Sequence, residues 1–154
     1  MSTAARPPQD PEFEARVRAS FARQRFMATL GARLARLEPG LCEIELDYDE
    51  RLTQQHGYLH AGVVTAIADS AGGYAGFTLM PEDASVLTVE FKLNLLAPAD
   101  GARLVAKGRV LKSGRTLVVT RADILVERDG AEHLCATMLQ TLMTMHGRAD
   151  QKRA

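Results

Sequence analysis

In the thirty residues from Leu52 to Pro81, LTQQHGYLHAGVVTAIADSAGGYAGFTLMP, Asp69 is the only formally charged side chain. Its neighbours from Gly62 to Met80 are apolar or small, so burying a carboxylate among them is costly unless a partner meets it. Two chemistries fit. A carboxylate that caps a neighbouring segment or pairs with a buried arginine is structural. One whose proton affinity is raised by low-dielectric surroundings can serve as a general base or as a nucleophile. Position alone leaves both open.

Just ahead of this run, Gln54, His56, Gly57, His60, Ala61 and Gly62 gather polar and small residues. At the start of a helix the first N–H groups lack intrahelical acceptors and sit at the positive end of the helix dipole, where a ligand oxygen is stabilised. An amide such as Gln54 adds a second donor, and together these are the parts of an oxyanion site. Base and oxyanion donors cannot meet within one chain, however. Asp69 lies nine residues after His60, about 13 Å along a helix, whereas both must reach one reacting carbon. Two copies of the helix lying antiparallel, the start of one beside the middle of the other, would bring them together, and a two-fold dimer supplies that arrangement. Gly72, Gly73, Ala75 and Gly76 are small enough to let helices approach closely. They suit tight packing of the helix on its own sheet equally well.

The elements that must hold these groups follow from periodicity. Asp10-Pro11, with Phe13, Val17 and Phe21 at helical spacing, predicts an amphipathic helix capped by Asp10 and ending near Gly31. Gln24 interrupts its apolar face before Ala28 resumes it. Residues 32–37 and 41–48 flank Glu38-Pro39-Gly40 as a hairpin with one wet face, Cys42, Ile44, Leu46 and Tyr48 alternating with Glu43, Glu45, Asp47 and Asp49. The run from Gly62 to Met80 is about as long as a bilayer requires, but its glycines, the polar loop before it and the strands after it favour a helix buried in protein. Leu87, Val89, Phe91, Leu93 and Leu95 then alternate strictly with Thr88, Glu90, Lys92 and Asn94, before residues 97–101 turn the chain. Strands are expected over 103–111, 116–127 and 132–145, joined by hairpin-length connections that make neighbours antiparallel. The fold class is therefore α+β: an antiparallel sheet of five or six strands around a long central helix, with an amphipathic helix at the start. One domain over 10–147 is expected, with loose tails at 1–9 and 148–154.

Nineteen basic and nineteen acidic residues cancel, so no overall field recommends nucleic acid or an anionic membrane as partner. Cys42 and Cys135 form no CxxC pair and read as buried thiols of a reducing compartment. The N-terminal segment has no apolar core of signal-peptide length, and a cytoplasmic location is the expectation. The histidines His56, His60, His133 and His146 make no set at metal-ligand spacing.

The order of amphipathic helix, hairpin, Gln54-Gln55-His56-Gly57-Tyr58-Leu59-His60-Ala61-Gly62, apolar helix with an acid nine residues after the histidine, and strands bearing Pro98-Ala99 and Ser113-Gly114-Arg115 resembles the hotdog-fold acyl-CoA thioesterases. It is most similar to the PaaI-like branch of the 4-hydroxybenzoyl-CoA thioesterase superfamily, over roughly residues 30–146. The resemblance implies a sheet wrapped around the central helix, a dimer with paired helices and often a tetramer of two dimers. It also implies hydrolysis of an acyl-CoA with no metal or redox cofactor, CoA being part of the substrate. Carried over by position, Asp69 is the catalytic base or nucleophile, Gln54 binds the thioester carbonyl or positions water, and the Ala61 N–H is the oxyanion donor. Ala61 departs from the usual His-Gly-Gly, leaving the N–H available but crowding the acyl side. Thr88 matches a hydroxyl near the attacking water. His60 buttresses the loop and Gly62 continues the helix start. Ser70, Gly73 and Tyr74 line the acyl pocket, and glycine at 73, where aryl-CoA branches carry Ser or Thr, argues against transferring their substrate preference. Ser113, Gly114 and Arg115 match a basic turn that contacts the CoA phosphates. The alternative function is a non-catalytic acyl-CoA binding or sensing protein on the same fold, against which the presence of both Gln54 and Asp69 argues. A hydratase acting on the acyl chain would need a His and Glu arrangement absent here. The acyl group itself is not set by the sequence.

Overall fold

The structure, a computed structural model, describes residues 7–148 and 150; the remaining residues of the expected tails, 1–6, 149 and 151–154, lie outside the described residues. In chain order the elements are α1 (Phe13–Arg23), α2 (Arg25–Leu30), β1 (Arg33–Glu38), β2 (Leu41–Asp47), a 3-10 turn (Glu50–Leu52), α3 (Ala61–Phe77), β3 (Ser85–Leu95), β4 (Arg103–Ser113), β5 (Leu117–Arg128) and β6 (Ala131–Met145). The strands form a single sheet in the order β1-β2-β4-β5-β6-β3, every pairing antiparallel. It curves around α3, the hotdog arrangement expected from the resemblance. Among the described residues no helix is long and apolar enough to cross a membrane.

The short links make hairpins as expected. At the β5–β6 turn Asp129 and Gly130 take φ of 54° and 75°, the left-handed pair that a tight hairpin turn requires. The link at 97–101 makes none. It carries the chain from the sheet edge at β3 to the interior at β4, held on the way by Leu59 N–H donating to Ala99 O at 3.1 Å.

At the N-terminus the expected cap is displaced. The helix begins at Phe13 with Glu12 in the cap position, while the Asp10 carboxylate accepts from the Glu12 N–H at 2.8 Å and pairs with Arg16 at 3.0 Å. The single expected helix is also two: Gln24 takes an extended ψ of 92° and separates α1 from α2. From α1, Arg16 reaches the end of α3. Its guanidinium donates to the carbonyls of Phe77 (3.2 Å), Met80 (2.8 Å) and Pro81 and lies 4.4 Å from the Phe77 ring centroid. A cation is thereby fixed where the last carbonyls and the negative end of the helix dipole need one.

Helix α3 rests on its own sheet through glycine. A Cβ on Gly108 would fall inside the contact distance of the Ala71 carbonyl oxygen, and one on Gly72 or Gly76 would collide with Gln140 or Leu142. The small residues at 72 and 76 therefore serve helix-on-sheet packing. Gly73 differs, because a Cβ there would meet nothing within 4 Å. Since the obstacle at Gly108 is backbone, Gly108→Ala is expected to lower stability by about 1–3 kcal/mol, read as a lower urea midpoint. Gly73→Ala should hold or raise that midpoint, gaining on the order of 0.5–1 kcal/mol in helix propensity.

The strict alternation read across β3 is broken in space. Thr88 pairs with Leu142 but Glu90 with Thr141, so Val89 is an extra residue in the ladder. Before this bulge Thr88 shares the helix-side face; after it Phe91, Leu93 and Leu95 do, opposite buried Gln140, Met138 and Ala136. Thr88 is thus not on the wet face that simple alternation assigns it. As an edge strand β3 leaves Leu87, Val89, Phe91 and Leu95 between 47% and 58% exposed.

Cys42 and Cys135 are buried, as expected. Burial pushes their thiols up to about 12 and about 11, so both stay protonated near neutral pH.

Candidate active site

Asp69 occupies the third turn of α3 and is part-exposed rather than enclosed by apolar groups. Two donors converge on its Oδ1: Thr88 Oγ1 at 2.7 Å and Gln140 Nε2. Gln140 also donates to the Asp69 carbonyl at 3.2 Å, lies 3.1 Å from Thr88 Oγ1, and accepts at its own Oε1 from Thr120 at 3.0 Å. Neither partner is a cation, so the structural reading of Asp69 as half of a buried ion pair fails. Gln140 is 1% exposed and was not among the residues singled out from sequence. Its signal is the same as that of Asp69, a polar residue in an otherwise apolar series: Ala136, Met138, Gln140 and Leu142 share one face of β6. The missing side chain at Gly72 gives Gln140 its room.

With both donors on Oδ1, Oδ2 has no recorded partner among the described residues, and Asp69 lines a pocket of about 740 Å³ whose walls include Ser70, Gly73, Tyr74, Val86 and Thr88. Tyr74 is buried, its hydroxyl 3.2 Å from Ser20 Oγ, and burial pushes that hydroxyl above its ordinary value. Ser70 donates to Gln24 Oε1 at 3.4 Å.

The start of α3 lies in a different pocket, of about 530 Å³, with Gln54, His60 and Ala61 in its wall beside Leu95 and Pro98. His60 is the helix N-cap, and its Nδ1 accepts from the Gly62 N–H at 2.8 Å. That bond removes Gly62 as a donor to ligand. The N–H groups of Val63 and Val64 turn to the His60 carbonyl, and among the described residues no acceptor is recorded for the Ala61 N–H. Gln54 Oε1 accepts from the His56 N–H, which leaves Nε2 as the donor of this amide. The loop that carries these groups is tied by His60 N–H to Leu52 O at 2.9 Å and by the Tyr48 hydroxyl to Gly57 O at 3.1 Å. Gly57 has φ of 82°, which disfavours any side chain there. The price of Tyr48 serving the loop is that it leaves the buried face shared by Cys42, Ile44 and Leu46.

The two pockets share no wall residue. Within one chain, then, Asp69 and Thr88 come together, Gln54, His60 and Ala61 come together, and the two groups stay apart. Ser113, Gly114 and Arg115 line neither pocket. They form the β4–β5 turn, with Gly114 N–H donating to Leu117 O at 2.9 Å and the Arg115 carbonyl 2.7 Å from the His146 ring. The turn lies at the Asp69 end of the sheet, where Leu117, Met143 and Leu87 are in register.

Comparison with known proteins bears on this geometry. The profile of the Thioesterase superfamily matches residues 56–133. A thioesterase family protein from Silicibacter pomeroyi, known by crystal structure, is 55% identical and superposes with a TM-score of 0.86 over 88% of this chain and 99% of that one. A Saccharolobus solfataricus protein that bears an esterase name is 38% identical over 112 residues, 73% of this chain and 72% of the relative. The E. coli PaaI protein from the phenylacetic acid degradation operon is 15% identical, yet superposes with a TM-score of 0.80 over 92% of this chain and 99% of its own, a likeness of fold.

Proposed function

The chain belongs to the thioesterase superfamily and is a thioester hydrolase, and from that premise we propose that it cleaves acyl-CoA to free acid and CoA at a site completed by a second copy of itself. The observation that carries this reading is the separation of a held carboxylate, in one pocket, from a helix-start N–H with no recorded acceptor and the Gln54 amide, in another. In this reading two copies pack about a two-fold axis with their β3 edges adjacent, Asp69 of one against Gln54 and Ala61 of the other. The half-exposed apolar side chains of β3 supply a surface for that contact.

In the joint site the Ala61 N–H and the Gln54 amide of one subunit hydrogen-bond the thioester oxygen, favouring the charge that develops there. Asp69 of the partner subunit takes a proton from water through Oδ2. The water oxygen bonds to the carbonyl carbon, the C–S bond breaks, and the departing CoA sulfur receives the proton. Thr88 and Gln140 keep the carboxylate in place through Oδ1 and leave the reacting oxygen free. Arg115 lies in neither pocket, so a contact with the CoA phosphates is not part of this reading.

The test is release of CoA thiol from a panel of aryl-, short-, medium- and long-chain acyl-CoAs. Turnover of at least one class well above the buffer rate is expected. Tight binding of acyl-CoA that stays intact for hours would instead favour a sensing protein.

A further inference from the structure

The geometry points to Gln24 as a residue that selects the acyl group: with Ser20, Ser70 and Tyr74 it forms a hydrogen-bonding end wall suited to an acyl chain that carries a hydroxyl or carbonyl group away from the thioester. This rests on the acyl-CoA reading and deepens it. Gln24 is where the apolar stripe of the N-terminal helix fails and where the helix itself breaks. The break requires only backbone: Gln24 N–H turns to Phe21 O at 3.0 Å, and its carbonyl accepts from Ala28 N–H at 3.2 Å. The side chain is left to lie in the wall of the Asp69 pocket. There its Oε1 accepts from Ser70 Oγ at 3.4 Å, and in the same wall the Tyr74 hydroxyl meets Ser20 Oγ at 3.2 Å.

This polar cluster stands at a useful distance from the chemistry. Gly73 and Tyr74 follow Asp69 by four and five residues, about 6–8 Å along the helix. With the thioester carbon beside Asp69, the outer atoms of a short acyl or aryl group arrive at this wall. Room for them is provided by Gly73, beside which no atom lies within the reach of a Cβ. A side-chain amide offers two N–H groups and two acceptor positions, so with one acceptor position engaged by Ser70 Gln24 retains both a donor and an acceptor for ligand. An unsubstituted acyl group would take water from these without replacing it. A hydroxyl or carbonyl group replaces it, which is how a polar site discriminates against the analogue that lacks the group.

The experiment compares kcat/KM of the full-length protein for two matched pairs, phenylacetyl-CoA with 4-hydroxyphenylacetyl-CoA and hexanoyl-CoA with 6-hydroxyhexanoyl-CoA. Preference for the hydroxylated member of at least one pair, on the order of tenfold, is expected. It should shrink toward one in Gln24→Met, which keeps length and shape. Ser70→Ala, which leaves the helix break untouched and frees the Gln24 amide, should also reduce it and decides the matter if Gln24→Met does not fold. Equal rates within both wild-type pairs, or a preference that survives in the folded variants, overturns the role of Gln24 while leaving thioester hydrolysis intact. A wild-type protein inert toward all four compounds and toward the wider panel sinks the acyl-CoA reading and this inference with it.

Discussion

Asp69→Asn is expected to lower kcat/KM toward acyl-CoA by roughly 10²–10⁴-fold while the thermal midpoint stays close to that of wild type. The substitution is isosteric, and the bonds that fix the side chain survive it. Thr88 Oγ1 and Gln140 Nε2 both donate to Oδ1, and an asparagine oxygen accepts both. What disappears is the charge and the basic second oxygen, Oδ2, of a residue that lines the pocket. A structural carboxylate whose only work is to accept from Thr88 and Gln140 would hardly notice the change. Matching activity in purified, folded mutant and wild-type protein would therefore sink the chemical role of Asp69. Gln140→Leu provides the contrast: it removes a support of the carboxylate and abandons the Thr120 hydroxyl in the core, so stability and activity should fall together.

The part of this site that was legible in the sequence consists of residues that violate a local rule. Asp69 stands in an apolar helix, and Gln54, His60 and Ala61 crowd a helix start; each contradicts or completes a pattern visible within ten residues. Gln140 contradicts its pattern too, but its meaning depends on which strand neighbours which. It meets Asp69 across 71 positions of sequence, a contact created where α3 lies on β6, with Thr88 brought in by the β3–β6 pairing. The same distinction runs through the fold. Period-two runs and short links were enough for the hairpins and the central helix. They could not place β3 at the edge, because the link at 97–101 has hairpin length and crosses the sheet instead. The bulge at Val89 was hidden because Thr, Val and Phe all suit a strand in either register. At Gln24 the interrupted stripe was visible, while the helix break it marks was not.

Mixing two impaired variants is expected to restore activity, and the amount restored reports the architecture of the site. In the proposed mechanism Gln54→Ala removes an oxyanion donor, at a cost of about 10²–10³-fold, and Asp69→Asn removes the base. In the two-chain reading a mixed dimer holds one intact site, made of Gln54 and Ala61 from the Asp69→Asn chain and Asp69 from the Gln54→Ala chain; its other site carries both lesions. Random reassembly of equal amounts, after unfolding and refolding together, makes half of the dimers mixed, so about a quarter of wild-type activity should return. Each variant refolded alone and then combined without exchange supplies the baseline. The separation of the two pockets within one chain is what makes the gain possible. Were base and oxyanion donors to act within one subunit, no mixed dimer would contain an undamaged site and the mixture would show only the average of its parents. Failure to recover activity from refolded, dimeric mixtures would overturn the site shared between two chains, while the chemical role of Asp69 stands or falls with the Asp69→Asn rate alone.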